Sequence, residues 1–151
     1  MSERAEHVPS LSVALRSHRD ELVRLAKLVD RFAAEHHLSD NDLTNLNLVL
    51  DEIVSNVIKY GHLRPHEEPR IDVSLALDGG RLTVNVADDG IAFNPLDAKR
   101  PDLDLPIVER PIGGLGIHIV KALVDTIAYR REDGRNHMTL TMRVNKERKD
   151  R

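Results

Sequence analysis

The stretch Asp51-Glu52-Ile53-Val54-Ser55-Asn56 decides how this chain is interpreted, because it lies inside an apolar pattern with helical spacing. Glu52 and Asn56 are four residues apart, so on a helix their side chains project from one face. Asn45 and Lys59 fall in the same narrow sector. This sector is either a solvated polar face or a site. In a site, Glu52 could act as a general base and Asn56 could offer an amide oxygen to Mg²⁺.

A second segment, Asp88-Asp89-Gly90-Ile91-Ala92-Phe93, ends a strand of alternating apolar residues. A carboxylate at Asp88 can accept a hydrogen bond from the exocyclic amine of a base. Gly90 would let the backbone come close to a planar ligand. An ordinary turn has the same sequence, since Asp and Gly are both typical turn residues. Alone, this segment leaves both interpretations open.

A third segment, Gly113-Gly114-Leu115-Gly116-Ile117, opens another predicted helix. Glycines are unfavourable at a helix start, and close approach of a phosphate to the backbone N–H groups would explain them. A Gly-x-Gly sequence also matches many ordinary loops. The preceding stretch, about 94–113, holds four of the chain's seven prolines. It is predicted to be irregular, as a functional lid or a tolerated surface insertion.

Periodicity assigns the rest of the chain to alternating helices and strands. It predicts a strand at Leu11–Leu15, helices at about Ser17–His36, Asp40–Tyr60 and Leu115–Asp125, a hairpin turning at Asp78-Gly79-Gly80, and closing strands at Ile127–Arg131 and Met138–Val144. A capping box at Ser39 is expected to start the second helix, and Gly61 to stop it. Met138, Leu140, Met142 and Val144 are expected to face inward.

Composition predicts one domain over residues 1–145, followed by a charged tail at 146–151. A net charge of −3 and an aromatic content of 3% argue against a nucleic-acid partner. The absence of cysteine excludes disulfides, thiolate metal sites and a Cys nucleophile. No apolar run approaches the roughly 20 residues of a membrane span, so no membrane association and a cytoplasmic location are expected.

Taken in order, the three segments resemble the GHKL (Bergerat-fold) ATPase and kinase superfamily. The stretches Leu48–Gly61, Val86–Leu96 and Gly113–Asp125 look most like the RsbW-type anti-sigma-factor serine/threonine kinases of bacteria. The resemblance implies an α+β fold, a two-layer α/β sandwich of the histidine-kinase-like ATPase type. Its sheet would be mixed and mostly antiparallel, covered on one face by helices, with a long ATP lid over about 94–113.

The resemblance also implies roles for individual residues, with ATP and Mg²⁺ as cofactors. Glu52 matches the catalytic residue and Asn56 the magnesium ligand of the family. The residues expected to bind the nucleotide are Asn56, Lys59, Tyr60, Asp88, Gly90, Ala92, Phe93, Arg110, Gly113, Gly114, Leu115, Gly116, Ile117 and Thr139.

The chain departs from the family pattern in three places. Ala92 replaces a glycine that often follows the adenine-reading segment. Arg110 is the nearest candidate for a lid arginine, but it precedes the glycines by a longer gap than the family has. The Gly-Thr near the last strand is replaced by Gly134-Arg135-Asn136-His137, so a hydroxyl contact must come from Thr139 or be absent.

By resemblance, the expected function is a kinase that transfers the ATP γ-phosphate to a Ser or Thr of a STAS-type antagonist. The same protein would sequester a sigma factor and form a homodimer. The alternative is a binding module in which ATP orders the lid and the domain captures a partner without phosphorylating it.

Overall fold

Five strands and three helices form in the residues that the computed structural model describes, which are 8–61, 68–97 and 114–145. They are, in chain order, β1 (Ser10–Leu15), α1 (Asp20–Glu35), α2 (Asp40–Tyr60), β2 (Ile71–Asp78), β3 (Arg81–Asp88), α3 (Gly114–Leu123), β4 (Thr126–Glu132) and β5 (Arg135–Arg143). A short 3-10 turn at Pro95–Asp97 follows β3.

The strands form one sheet in the order β1-β2-β3-β5-β4, and all four neighbouring pairs are antiparallel. The expected α+β fold is thereby confirmed, but the sheet formed by the described strands is antiparallel rather than mixed. The physical reason is the position of β5. β4 runs in the same direction as β3 after the α3 crossover, and β5 lies between them and pairs with both.

Both hairpins have two-residue turns with positive φ, as the turn residues predict. Gly79 and Gly80 have φ values of 55° and 82°, and Asp133 and Gly134 have values of 52° and 73°. This backbone geometry matches the right-handed twist of paired strands, so each turn fixes the register of its hairpin.

The helices cover one face of the sheet. The strand residues that face them are buried and apolar, as alternation predicts: Leu15, Ile71, Val73, Leu75, Leu82, Val84, Val86, Met138, Leu140 and Met142. They pack in one cluster with buried residues of α1, α2 and α3, among them Val29, Leu46, Leu50 and Val120. The other face of the sheet carries small and polar side chains such as Ser12, Ser74 and Asn85. The two-layer arrangement therefore follows from the period of two along each strand.

The helix ends differ slightly from the sequence prediction. α1 begins at Asp20 instead of Ser17. Its first two residues, Asp20 and Glu21, are acidic and complement the helix dipole. α2 begins after Ser39, whose hydroxyl accepts from the Asp42 amide at 3.1 Å. The reciprocal half of the capping box is absent, because the Ser39 amide donates to the Asn145 side chain instead. α3 ends at Leu123, because the Asp125 amide already donates to β5.

Candidate functional site

A cavity that opens to solvent lies between α2, α3 and the ends of β3 and β5. Its lining residues are Glu52, Ile53, Asn56, Val57, Gly61, Asp88, Ile91, Phe93, Pro95, Ile117, Val120, Asn136 and Met138. Each of the three segments singled out in the sequence contributes at least one residue to this lining. Residues more than 60 positions apart in the chain are therefore brought to one concave site.

Glu52 and Asn56 lie on successive turns of α2, and both line the cavity. The Glu52 carboxylate lies against Gly116, the third residue of α3, and a Cβ at position 116 would overlap it. Gly116 therefore lets the acid on α2 reach the first turn of α3. A half-buried carboxylate next to a helix start is well placed to accept a proton from a group held there.

Asp88 ends β3 and is only 4% exposed. Burial raises the pKa of its carboxyl group, and the hydrogen bonds from Asn136 and Gly90 and the charge of Arg131 oppose that rise. The Gly90 amide and the Asn136 side chain both donate to Oδ1, at 2.9 and 3.0 Å. Within the described part of the chain, no donor bonds to Oδ2. Asp88 thus presents one free carboxylate oxygen at a cavity wall that is otherwise largely apolar.

Gly90 is required for a contact within the protein. A Cβ at this position would overlap the backbone carbonyl of Gly61, and the next amide, that of Ile91, donates to the same carbonyl at 3.0 Å. The turn after β3 is thereby fastened to the end of α2. The sequence interpretation assigned the glycine to close approach of a ligand, whereas the observed close approach is to α2.

Asn136 is a site residue that the sequence analysis did not assign. It is 5% exposed, lines the cavity and donates to the Asp88 carboxylate. The signal was present in the alternation of β5. If Met138 and Leu140 face inward, then position 136 also does, and an amide there interrupts an apolar series.

The same alternation corrects the prediction for Thr139. Its side chain lies on the opposite face of the sheet, where its hydroxyl donates to the Asn85 side chain at 2.8 Å. Thr139 faces away from the cavity because its neighbours Met138 and Leu140 are buried on the inner face. The inner-face position at this end of β5 is occupied by the Asn136 amide, which donates to Asp88.

The other predicted nucleotide-binding residues fall into four groups. Phe93 and Ile117 line the cavity, with Phe93 41% exposed. Lys59, Tyr60 and Ala92 do not line it, although Tyr60 and Ala92 are next in sequence to residues that do. Gly114 begins α3. Arg110, Gly113, the Leu115 side chain and all but the first residues of the predicted lid lie outside the described residues.

Two features of the described residues concern a bound metal ion and a membrane span. They contain no cluster of three or more His, Cys, Asp or Glu side chains suited to a metal ion. A Mg²⁺ ion still fits the donor set at Asn56, provided that phosphates and water supply its remaining ligands. No helix in these same residues has the length and apolar character needed to cross a membrane.

Comparison with known proteins gives consistent matches. The family model of the histidine kinase-like ATPase domain matches residues 15–143. The serine/threonine-protein kinase BtrW of Bordetella bronchiseptica is 28% identical over 133 residues, which are 87% of this chain and 89% of BtrW. The serine-protein kinase RsbW of Bacillus cereus is 26% identical over 106 residues, 68% of this chain and 63% of RsbW. The chain thus covers less than two thirds of that second relative.

A solved structure shows the same fold. The crystal structure of the RsbU and RsbW domains of a Mycobacterium tuberculosis protein superposes with a TM-score of 0.66, over 90% of this chain and 32% of that one. The sequence identity is 20%, so this likeness concerns the fold alone.

Proposed function

The chain belongs to the histidine kinase-like ATPase domain family, and from that premise we propose that it is an ATP-dependent serine/threonine protein kinase of the RsbW type. The observation that carries the proposal is the convergence of Glu52, Asn56 and Asp88 at one cavity, with the start of α3 held against Glu52 at Gly116. The relatives BtrW and RsbW, both named as kinases, support the same activity.

The adenine base is placed in the inner part of the cavity, against Asp88. Its exocyclic amine donates to Oδ2, the carboxylate oxygen for which the described residues hold no donor. Ile91, Phe93 and Met138 supply apolar walls for the ring. A single charged acceptor in an apolar pocket is an effective way to select a base by its amine, because the carboxylate is partly desolvated already.

The phosphates are placed toward Glu52 and the start of α3. Backbone N–H groups at the N-terminus of a helix attract anions, and α3 begins at Gly114, two residues before the glycine that the Glu52 carboxylate contacts. Asn56 is the residue that would hold Mg²⁺, and the ion, when bound with ATP, neutralises phosphate charge. We assign the lid to residues of about 94–113, which would close over this end of the nucleotide.

Phosphate transfer then requires one base. The Glu52 carboxylate removes the proton of a partner's Ser or Thr hydroxyl as the hydroxyl oxygen bonds to the γ-phosphorus. The bond from that phosphorus to the β–γ bridging oxygen breaks, and ADP leaves. Most of the catalysis is positioning and charge stabilisation, as is usual for phosphoryl transfer. By likeness to RsbW, the proposed substrate is a STAS-domain antagonist, a sigma factor is the sequestered partner, and the protein acts as a homodimer.

The test combines calorimetry and transfer of labelled phosphate. The parent protein should bind ATP in the presence of Mg²⁺ and label a STAS-domain protein of its own organism. Glu52→Gln keeps the shape of the side chain but cannot accept a proton, so it should bind ATP nearly as well and transfer phosphate about 10²–10⁴ times more slowly. Asn56→Ala should lose both properties, since the metal would hold the phosphates.

Matched controls are available on the same helix. Asp51→Asn removes an exposed carboxylate next to Glu52, and Asn45→Ala removes an amide from the same helical sector, outside the cavity. Both should behave as the parent does. If Glu52→Gln transfers phosphate at the parental rate, Glu52 is not the base. A parent that binds a partner only with ATP, yet labels no STAS-domain protein, is a binding module and not a kinase.

A further inference from the structure

Asp88 and Asn136 are the two buried polar residues in the described parts of the chain. They are 48 residues apart in sequence but directly opposite each other in the pairing of β3 with β5. Since every other fully buried side chain of the core is apolar, the pair forms a polar spot at one end of the core, under the cavity. A buried polar pair needs its hydrogen bonds satisfied, or the fold loses stability.

Asn136 uses its whole hydrogen-bonding capacity. Its Nδ2 group donates to Asp88 Oδ1 at 3.0 Å and to the Ile91 carbonyl at 2.7 Å. Its Oδ1 accepts from the Tyr129 hydroxyl at 2.6 Å and from the Phe93 amide at 3.3 Å. An amide side chain has two N–H donors and one oxygen with two lone pairs, so a flipped amide would face donors with donors. The orientation of Asn136 is therefore fixed by its four partners.

Two different parts of the site depend on this one side chain. On one side, the N–H group engages Asp88 Oδ1 and leaves Oδ2 as the oxygen available to a ligand. On the other side, the amide holds both ends of the segment Ile91–Phe93, which leaves β3 and leads to the 3-10 turn at Pro95–Asp97. Phe93 itself lines the cavity.

We propose that Asn136 is a positioning residue for base recognition. It orients the Asp88 carboxylate, and it holds the segment 91–93 in a fixed position relative to that carboxylate. Asn136 itself has no hydrogen-bonding group left for the base. The inference rests on the proposed ATP-binding function, because it assigns how the same cavity reads the base.

The first test compares ATP with purine riboside triphosphate, which lacks only the 6-amino group. Calorimetry with Mg²⁺ gives the affinity ratio of the two nucleotides. The contribution of the triphosphate is the same for both, so it cancels in this ratio. The parent should prefer ATP about tenfold or more, since one hydrogen bond to a charged acceptor is at stake. Asn136→Leu, similar in shape but without polar atoms, should bind the two nucleotides within about threefold of each other. A parental ratio in this variant would overturn the proposal.

The second test separates the contact of Asn136 with Asp88 from its contacts with the segment 91–93. Asn136→Thr suits a strand and keeps one O–H donor for Asp88, but it cannot also reach both ends of the segment 91–93. It should retain most of the ATP preference, while the Phe93 amide exchanges with solvent about tenfold faster or more than in the parent. The Ile91 amide is the internal reference, because it donates to Gly61 independently of Asn136. Unchanged exchange at Phe93 would refute the link to the lid, even if Asn136→Leu does not fold.

Thr139→Val serves as the control on the same strand. It removes a polar group from β5 on the face away from the cavity, so the nucleotide ratio and the Phe93 exchange should match the parent. The outcomes also separate this inference from the proposed function. If the parent binds no ATP, the proposed function is wrong. If the parent prefers ATP and Asn136→Leu keeps that preference, only the positioning role is wrong.

Discussion

Replacing Asp88 by asparagine tests the proposed base-binding site directly, and the structure determines how the new amide must lie. Oδ1 of Asp88 accepts from the Gly90 amide and from the Asn136 side chain. In Asp88→Asn the carbonyl oxygen must keep this place, because an NH₂ group there would face two donors. The NH₂ group is thereby turned into the cavity, where the adenine amine is expected. A donor then faces a donor.

The expected loss of affinity follows from that geometry. A hydrogen bond to a charged acceptor contributes about 1.5–3 kcal/mol, which corresponds to about 10- to 150-fold in the Kd for ATP. The fold should not suffer, because the two donors to Oδ1 keep an acceptor. The substitution also removes a carboxylate that is costly to ionise where it is buried. Titration calorimetry with ATP and urea unfolding measure the two effects separately.

The pH dependence of unfolding gives a second readout of the same variant. Burial, opposed by Asn136, Gly90 and Arg131, leaves the pKa of Asp88 above its usual value in the folded protein. A raised carboxyl pKa favours the folded parent at acid pH, and this contribution is lost as the pH rises through the folded-state pKa. The amide does not titrate. The free energy of unfolding of Asp88→Asn, relative to the parent, should therefore increase from acid to neutral pH.

The neighbouring carboxylate provides the control. Asp89 is exposed, accepts from the Arg70 amide and does not line the cavity. Asp89→Asn removes the same charge one residue away and should leave the affinity for ATP unchanged. Equal ATP affinity in Asp88→Asn and the parent would refute the reasoning, and the Asp-Asp-Gly segment would then be only a turn.

Three further outcomes are expected. Gly90→Ala should lower the free energy of unfolding by about 1–3 kcal/mol in urea, because its Cβ meets the backbone carbonyl of Gly61, which cannot move aside easily. Gly116→Ala should be as stable as the parent, because its Cβ would meet only the flexible Glu52 side chain. The displaced Glu52 carboxylate should slow phosphate transfer about 10²-fold. A parental rate would contradict the proposed position of the base. Residues of about 94–113 should gain protection from protease and amide exchange with ATP and Mg²⁺, and less with ADP; identical cleavage without nucleotide, with ADP and with ATP would identify an inert insertion.

The sequence alone was sufficient for the local structure. α2 begins after Ser39 and ends before Gly61 as predicted, and the strands lie within two residues of their alternating patterns, except that β5 begins three residues before Met138. These features depend on neighbours within about one helical turn or on a period of two, both of which can be read along the chain. The same periodicity placed Glu52 and Asn56 on one face of α2, and both line the cavity.

One part of the site could have been found in the sequence and was missed. The inward set of Met138 and Leu140 already fixes the parity of β5, and parity alone puts Thr139 outside and Asn136 inside. The family pattern drew the interpretation to a hydroxyl, whereas the strand's alternation pointed to the amide.

Only the tertiary structure decided which distant groups meet. The insertion of β5 between β3 and β4 sets Asn136 opposite Asp88 and makes the sheet antiparallel throughout its described strands. The turn at Gly90 meets the end of α2 at Gly61, and Glu52 reaches across to Gly116 on α3. Such contacts join segments tens of residues apart, and they depend on strand order and helix packing. Local hydrogen bonding determines neither of these, so the contacts cannot be deduced from the sequence pattern. The sequence therefore predicted the elements and most of the polar groups that line the cavity, and the fold determined how those groups are held.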